Sequence, residues 1–168
     1  ELEPVNLNFL IAESLSPFAE TYPQITFQFI ADNRLPQVFL DCEQMRRALI
    51  NLLDNAINAT RRGTAAETEA AAARISVKSS FHKGSDRVSI EVSDNGPGIP
   101  PEHRHRIFEP YFTTKKGGTG LGLAIVTSII SDHQGDIRIF GNQPHGTRFV
   151  IDLPIKPGSS TQRKFTAV

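Results

Sequence analysis

A second cysteine is missing from this 168-residue sequence. With Cys42 alone, no internal disulfide can form, and such cysteine usage suits a reducing compartment. An excess of charge is missing too, since 18 Lys and Arg balance 18 Asp and Glu. That argues against an extended surface for nucleic acid or an anionic membrane and leaves room only for a local basic patch. No apolar run approaches the roughly 20 residues that span a bilayer. No signal peptide opens the chain, and no Met precedes "ELEPVNLNFL", so a piece of something larger is expected. What is present is ordinary: 39% hydrophobic and 21% charged residues, enough chain for one domain with a real core.

Apolar residues recur at helical spacing through "LNFLIAESLSPFAETY" (7–22), with Pro17 expected to interrupt them. "QITFQFI" (24–30) alternates like a strand, and "VFL" (38–40) is a short apolar piece. The clearest helix is "DCEQMRRALINLLDNAINATRR" (41–62). Its Met45, Ala48, Leu49, Leu52, Leu53, Ala56 and Ile57 follow an i, i+3, i+4, i+7 pattern, with Asp41 as N-cap and Gln44 three residues on. "GTAAETEAAAA" (63–73) has no bulky apolar residue and reads as an exposed loop. Two paired strands follow at 74–82 and 86–94, with "KGS" as their turn. Residues 95–118 are rich in Gly and Pro, too long for a plain connector, and suggest a functional lid. A helix over 119–133, starting at Thr119 or Gly120, and two last strands, "DIRIFG" and "GTRFVIDLP", complete the order. This pattern predicts an α+β, two-layer sandwich, a mixed sheet covered on one face by about three helices. It forms one domain over residues 1–156, with a polar, flexible tail at 157–168.

Four features could carry chemistry. At about 100° per residue, Asn51, Asn55 and Asn58 share one stripe of the long helix, off the centre of its apolar face. Asparagine is a poor helix former, and carboxamides can ligate a hard cation or bond phosphate; a solvated polar face is the competing reading. In "RVSIEVSD", Asp94 shares parity with Val88, Ile90 and Val92 and so points to the apolar side. A carboxylate there is costly unless paired, and as an acceptor it suits an exocyclic amine such as that of adenine. Asp-Asn-Gly is also good turn chemistry, so a capping role stays open. Thr147 has the same inward parity with Phe149, Ile151 and Leu153, although a β-branched strand residue needs no further reason. Finally, "TTKKGGTGLGLAI" (113–125) places glycines and Lys115 and Lys116 before a helix start, where free N–H groups favour phosphate. It lacks the G-x-x-x-x-G-K-[ST] spacing, so a Walker-type loop is excluded.

Taken in order, "NLLDNAINA" (51–59), "DNGPGI" (94–99), "FEPYFTTK" (108–115), "GGTGLGLAI" (117–125) and "GTRF" (146–149) resemble the motif set of the catalytic ATP-binding domain of bacterial sensor histidine kinases. That domain has the Bergerat-type fold of the GHKL superfamily, shared with gyrase, MutL-type proteins and heat-shock chaperones. The "EPYFTTK" and "GTGLGLAI" forms look most like the nitrogen-regulation branch. The resemblance implies ATP and Mg²⁺ as ligands. Asn55 would coordinate the metal, with Asn51 supporting metal or phosphate and Asn58 contacting the nucleotide. Asp94 would accept from the adenine amine, with Thr147 and a water beside it. Gly96, Gly98 and Ile99 would shape the adenine pocket. Phe108 and Thr114 would belong to the hinge and lid, with Lys115 near the phosphates. Gly118, Gly120, Leu121, Gly122 and Leu123 would close on the triphosphate. Asn51, Asn55 and Lys115 are the candidate catalytic residues.

Hydrolysing superfamily members resemble E-x-x-x-N, where Glu acts on the attacking water. Residue 51 is Asn here, and an amide cannot act as a general base. Neutral imidazole, with a pKa of about 6.5, needs no strong base. None of His82, His103, His105, His133 or His145 has the sequence context of a phosphoacceptor. The expectation is therefore a kinase domain that phosphorylates a histidine on a separate dimerisation domain preceding residue 1, with a response regulator downstream. It would be cytoplasmic, within a full-length inner-membrane sensor. An ATPase of the same superfamily and a regulatory module that binds nucleotide without transfer are the competing readings.

Overall fold

A computed structural model describes residues 1–63, 72–112 and 120–158. Its helices are α1 (Leu7–Thr21), α2 (Cys42–Gly63) and α3 (Gly122–Asp132). Its strands are β1 (Glu3–Val5), β2 (Thr26–Ile30), β3 (Val38–Leu40), β4 (Arg74–His82), β5 (Arg87–Asp94), β6 (Asp136–Gly141) and β7 (Thr147–Pro154). Five strands form one sheet in the order β2-β4-β5-β7-β6. β2 runs parallel to β4 and the other neighbours are antiparallel, so the sheet is mixed.

Strand alternation decides which face is covered. Ile75 and Val77 on β4, Val88, Ile90 and Val92 on β5, and Phe149, Ile151 and Leu153 on β7 are buried, while their alternate neighbours stay partly exposed. The three helices pack on that buried face: α1 against β2, α2 against β4 and β5, and α3 against β6. All seven apolar positions expected on α2 are buried. Each fully buried large aliphatic among them contributes on the order of 2 kcal/mol.

One polar contact joins α2 and α3. Asp41 is the N-cap of α2, its Oδ1 accepting from the Gln44 N–H at 3.0 Å. Its own N–H donates to Nε2 of His133 at 2.9 Å. His133 is buried at the C-cap of α3, with Nδ1 2.7 Å from the Ile129 carbonyl oxygen. A carbonyl can only accept, so Nδ1 carries the proton and Nε2 is left as acceptor. The imidazole thereby ties the start of α2 to the end of α3.

One expectation changes, and one element is added. The helix of 7–22 is not interrupted, because α1 runs through Pro17. Pro17 lies on the exposed side, where the carbonyl it leaves without a helical partner meets water. The strand β1, unread in the sequence, pairs with β3 in a two-stranded sheet of its own. Next to the expected tail, Lys156 sits over the Phe39 ring and the Gly158 N–H donates to Gln134 Oε1. Residues 64–71 and 159–168, which include most of the expected loop and tail, lie outside the described residues.

β4 continues past the end of β2, and Asp32 fills the gap. Its Oδ2 accepts from the Phe81 N–H at 3.0 Å, and its own N–H donates to Ser79 Oγ at 3.0 Å. Ser79 in turn donates to Asn8 Oδ1, and Asn8 Nδ2 donates back to the Asp32 carbonyl. This ring ties α1 to the sheet edge. The Arg34 guanidinium, then the Phe81 and Arg34 amides, hold the Asp32 carboxyl well below its ordinary value of 3.8. Because folding lowers this pKa, the charged form stabilises the fold above pH 3.8, and that gain is lost as pH falls through the folded value. Asp32→Asn is therefore expected to destabilise the domain near neutral pH, with the difference from wild type shrinking in strong acid. Urea unfolding across pH measures this; a pH-independent difference would contradict it.

Candidate functional site

The register of the sheet builds the first half of the site. Val92 pairs with Phe149 and Ser93 with Arg148, so Asp94 falls opposite Thr147, one step beyond the last pair of that ladder. Both are buried, at 4% exposure each, as their parity predicts. The Asp94 Oδ1 accepts the Gly96 N–H at 2.9 Å and the Thr147 N–H at 3.4 Å. Main-chain donors thus offset part of the cost of burying a carboxylate. Thr147 meets Asp94 through its main-chain N–H.

The DNG loop after β5 is walled on both sides. A Cβ on Gly96 would lie 2.8 Å from the carbonyl carbon of Ala59 on α2. Gly98 approaches Gly146, and Gly146 approaches Asp94 so closely that a Cβ would sit 2.0 Å from the Asp94 carbonyl oxygen. Gly146 also has φ +119°, a conformation that other L-residues rarely adopt. Asn95 reaches outward instead, with Oδ1 accepting from the Arg74 N–H and Nδ2 donating to the Ala72 carbonyl.

The asparagine stripe forms the second half. Asn51 and Asn55 are half-buried on α2, and Asn58 is exposed. Asn51 Nδ2 donates to the Arg47 carbonyl at 2.9 Å. Its Oδ1 faces the start of α3, only 3.1 Å from where a Cβ on Gly122 would be. That helix begins at Gly122, not at Thr119 or Gly120. The reason is backbone geometry. Gly120 has φ +68°, and its carbonyl accepts from the Tyr111 N–H at 3.0 Å. A Cβ there would lie 2.5 Å from the Tyr111 backbone. Tyr111 itself has φ +66°, uncommon for a bulky side chain and a mark of local strain. Leu121 is the N-cap of α3 and makes no side-chain cap bond to the first-turn N–H groups.

The structure therefore brings Asp94, Gly96, Gly98 and Thr147 into one cluster and sets Asn51 against Gly122. Gly120 belongs to the Tyr111 turn ahead of the helix start. Phe108 packs edge-on against Phe149, with ring centroids 6.3 Å apart, and Ile99 and Leu123 pack partly buried against the core. Leu121 is half-buried. Thr114, Lys115 and Gly118 lie outside the described residues. The sequence reading missed Asn142 and His145, which bond the DNG loop from the turn between β6 and β7. "NQPHGT" looks like ordinary turn chemistry, and no periodicity points at it.

The profile of the histidine kinase-, DNA gyrase B- and HSP90-like ATPases matches residues 40–157, and the chain belongs to that family. Within it, the fold is that of sensor histidine kinase catalytic domains. Over 157 residues the chain is 40% identical to the sensor histidine kinase ZraS of Salmonella typhimurium (strain LT2), covering 92% of this chain and 31% of that protein. It thus spans less than a third of that relative's length. The catalytic domain of histidine kinase ThkA, in a nucleotide-free form, matches with a TM-score of 0.79 at 37% identity, over 94% of this chain and 97% of that one. ThkA in complex with the response regulator protein TrrA matches with a TM-score of 0.77 at 33% identity, over 95% of this chain and 43% of that one.

Gly146→Ala is expected to disrupt the site as well as the fold. Gly158 is the control, since it has φ +91° and open space around its Cα. Strain alone costs on the order of 1–3 kcal/mol, so Gly158→Ala should stay within that range. Gly146→Ala should exceed it and also cancel the rise in melting temperature on adding ATP. Equal melting curves for the two variants would contradict the close approach to Asp94.

Proposed function

We propose that this domain binds Mg²⁺·ATP and presents the γ-phosphate to a histidine on a separate helical phosphoacceptor domain, with a response regulator receiving the phosphoryl group downstream. The observation that carries this reading is the buried Asp94 carboxylate, held in place by the Gly96 and Thr147 amides. Such a fixed acceptor matches the exocyclic amine of adenine and rejects a carbonyl at the same place. Gly96, Gly98 and Ile99 border the space for the base, and the start of α3, where Leu121 makes no side-chain cap bond, with Gly122 and Leu123, suits the phosphates.

The donors on α2 also fit Mg²⁺. No group of three or more His, Cys, Asp or Glu that could hold a metal occurs among the described residues. The metal would take Asn55 as a hard oxygen ligand, with Asn51 and Asn58 near phosphate and metal, and phosphate and water oxygens would complete its shell. When bound, the ion supplies neutralisation of phosphate charge. The chain's own residues then bind, orient and exclude water. No side chain of α2 has to remove a proton, because the imidazole nitrogen attacks as the Pγ–O bond to ADP breaks. Lys115 and Thr114, with Phe108 at the hinge, are assigned to the lid, as is Gly118; Gly120 is assigned to its base. The domain is assigned to residues 1–156. The response-regulator complex of ThkA supports such a partner here. No helix among the described residues is long and apolar enough to cross a membrane. A cytoplasmic catalytic module of a membrane-anchored sensor is the arrangement we propose.

The test is transfer from γ-labelled ATP to an added acceptor domain carrying the histidine. Wild type should yield acid-labile, base-stable label on that domain. Asn55→Asp and Asp94→Asn should each reduce labelling by roughly tenfold or more. Undiminished transfer in both variants would overturn the site assignment. Steady phosphate release without an acceptor would favour the ATPase reading, which Asn51 opposes.

A further inference from the structure

We propose that Asn142 and His145 are positioning residues for adenine recognition, so that the turn between β6 and β7 sets the strength of base recognition from outside the motifs. The proposal rests on the nucleotide reading of Asp94. Its ground is a set of contacts that all converge on residues 94–98. Asn142 Nδ2 donates to the Asp94 carbonyl at 2.9 Å. His145 Nδ1 lies 3.1 Å from the Gly96 carbonyl. The Thr147 N–H reaches Asp94 Oδ1, and the Gly146 backbone closes the space between them. The turn is itself braced, because the Asn142 N–H donates to the Gly146 carbonyl and the Gln143 N–H donates to Asn142 Oδ1.

These bonds act on the side of the strand end that β4 does not hold. β4 pairs with Asp94 through Ile75, and the Asn95 N–H donates to the Arg74 carbonyl, but the ladder toward β7 stops one step earlier, at Ser93 and Arg148. Bonds from the β6–β7 turn brace that second side, and an acceptor held on both sides keeps its orientation. Asn142 fixes the main chain at Asp94, and His145 fixes it at Gly96, whose N–H is the shorter donor to the carboxylate. The two side chains therefore hold both ends of the Asp94–Gly96 turn.

The chemistry of each donor is specific. Asn142 uses both ends of its amide, with Nδ2 bonding Asp94 and Oδ1 accepting from Gln143. Asn142→Asp keeps the acceptor, removes the donor and adds a negative charge, placing a carboxylate against a carbonyl. The Gly96 carbonyl can only accept, so His145 Nδ1 carries a proton. An Asn at 145 offers an N–H close to the position of Nδ1, and Ala offers none.

The experiment is ATP titration of this chain by calorimetry, with melting curves and amide NMR shifts of the same samples. Asn142→Asp should raise the Kd for ATP by roughly tenfold. His145→Ala should raise it by about threefold to tenfold, and His145→Asn should return it to within about twofold of wild type. In Asn142→Asp and His145→Ala the Gly96 and Thr147 amide protons should move upfield as their bonds to Asp94 lengthen. A merely structural role would lower the melting temperature without that local shift and without rescue by Asn. Unchanged ATP affinity in both variants, or no rescue by His145→Asn, would overturn the proposal. Asp94→Asn run in parallel separates the two levels. If it leaves ATP binding intact, the nucleotide reading itself fails. If it weakens binding and the turn variants do not, only the positioning role fails.

Discussion

A carboxylate buried at the end of a central strand governs the architecture around it. Asp94 is buried, at 4% exposure, and main-chain donors from two different segments bond its carboxylate. Gly96 supplies one from the turn that follows, and Thr147 supplies the other from the start of β7. Both requirements reach outward. The Gly96 turn can approach only because Ala59 on α2 meets a residue without a Cβ, and Thr147 can approach only because Gly146 does the same. One buried charge thus fixes the spacing between α2, the DNG loop and the last hairpin.

The helical layer is built with one closed end and one open end. At the closed end, the buried His133 joins the N-cap of α2 to the C-cap of α3, satisfying polar groups on both. At the open end, α3 starts on Leu121, which caps nothing, against the Asn51 carboxamide. Tyr111 and Gly120 add strained backbone just before that start. The helix-to-helix bond lies away from the candidate site, and the positive-φ backbone of Tyr111 and Gly120 lies beside it. Such an arrangement suits a site completed by a ligand.

Membership of the histidine kinase-, gyrase- and HSP90-like family gives this arrangement a chemical setting. Within it, Asn51 is the informative residue. A carboxylate there could activate water, whereas an amide can only orient and bond. That difference favours transfer to a nucleophile that needs no activation. The chain covers nearly all of a solitary kinase catalytic domain but under a third of a full sensor kinase.

Periodicity alone determined a good deal here. The i, i+3, i+4 pattern of α2 and the two-residue parity of β5 and β7 are local properties, so they announced the helix, the strands and the inward faces of Asp94 and Thr147 before any folding was considered. The order of the motifs carried the family. The sequence could not decide where chain met chain. The three-residue β1 is too short to read without β3 beside it, and Pro17 is tolerated because its side of α1 is exposed. The start of α3 is set by the packing of Gly120 on Tyr111. Asn142 and His145 look like turn residues until the register of β6 and β7 sets them on the Asp94 loop. Long-range contacts of this kind depend on side chains 48 and 49 residues apart, a separation that no local pattern encodes and only the closed sheet brings to bonding distance.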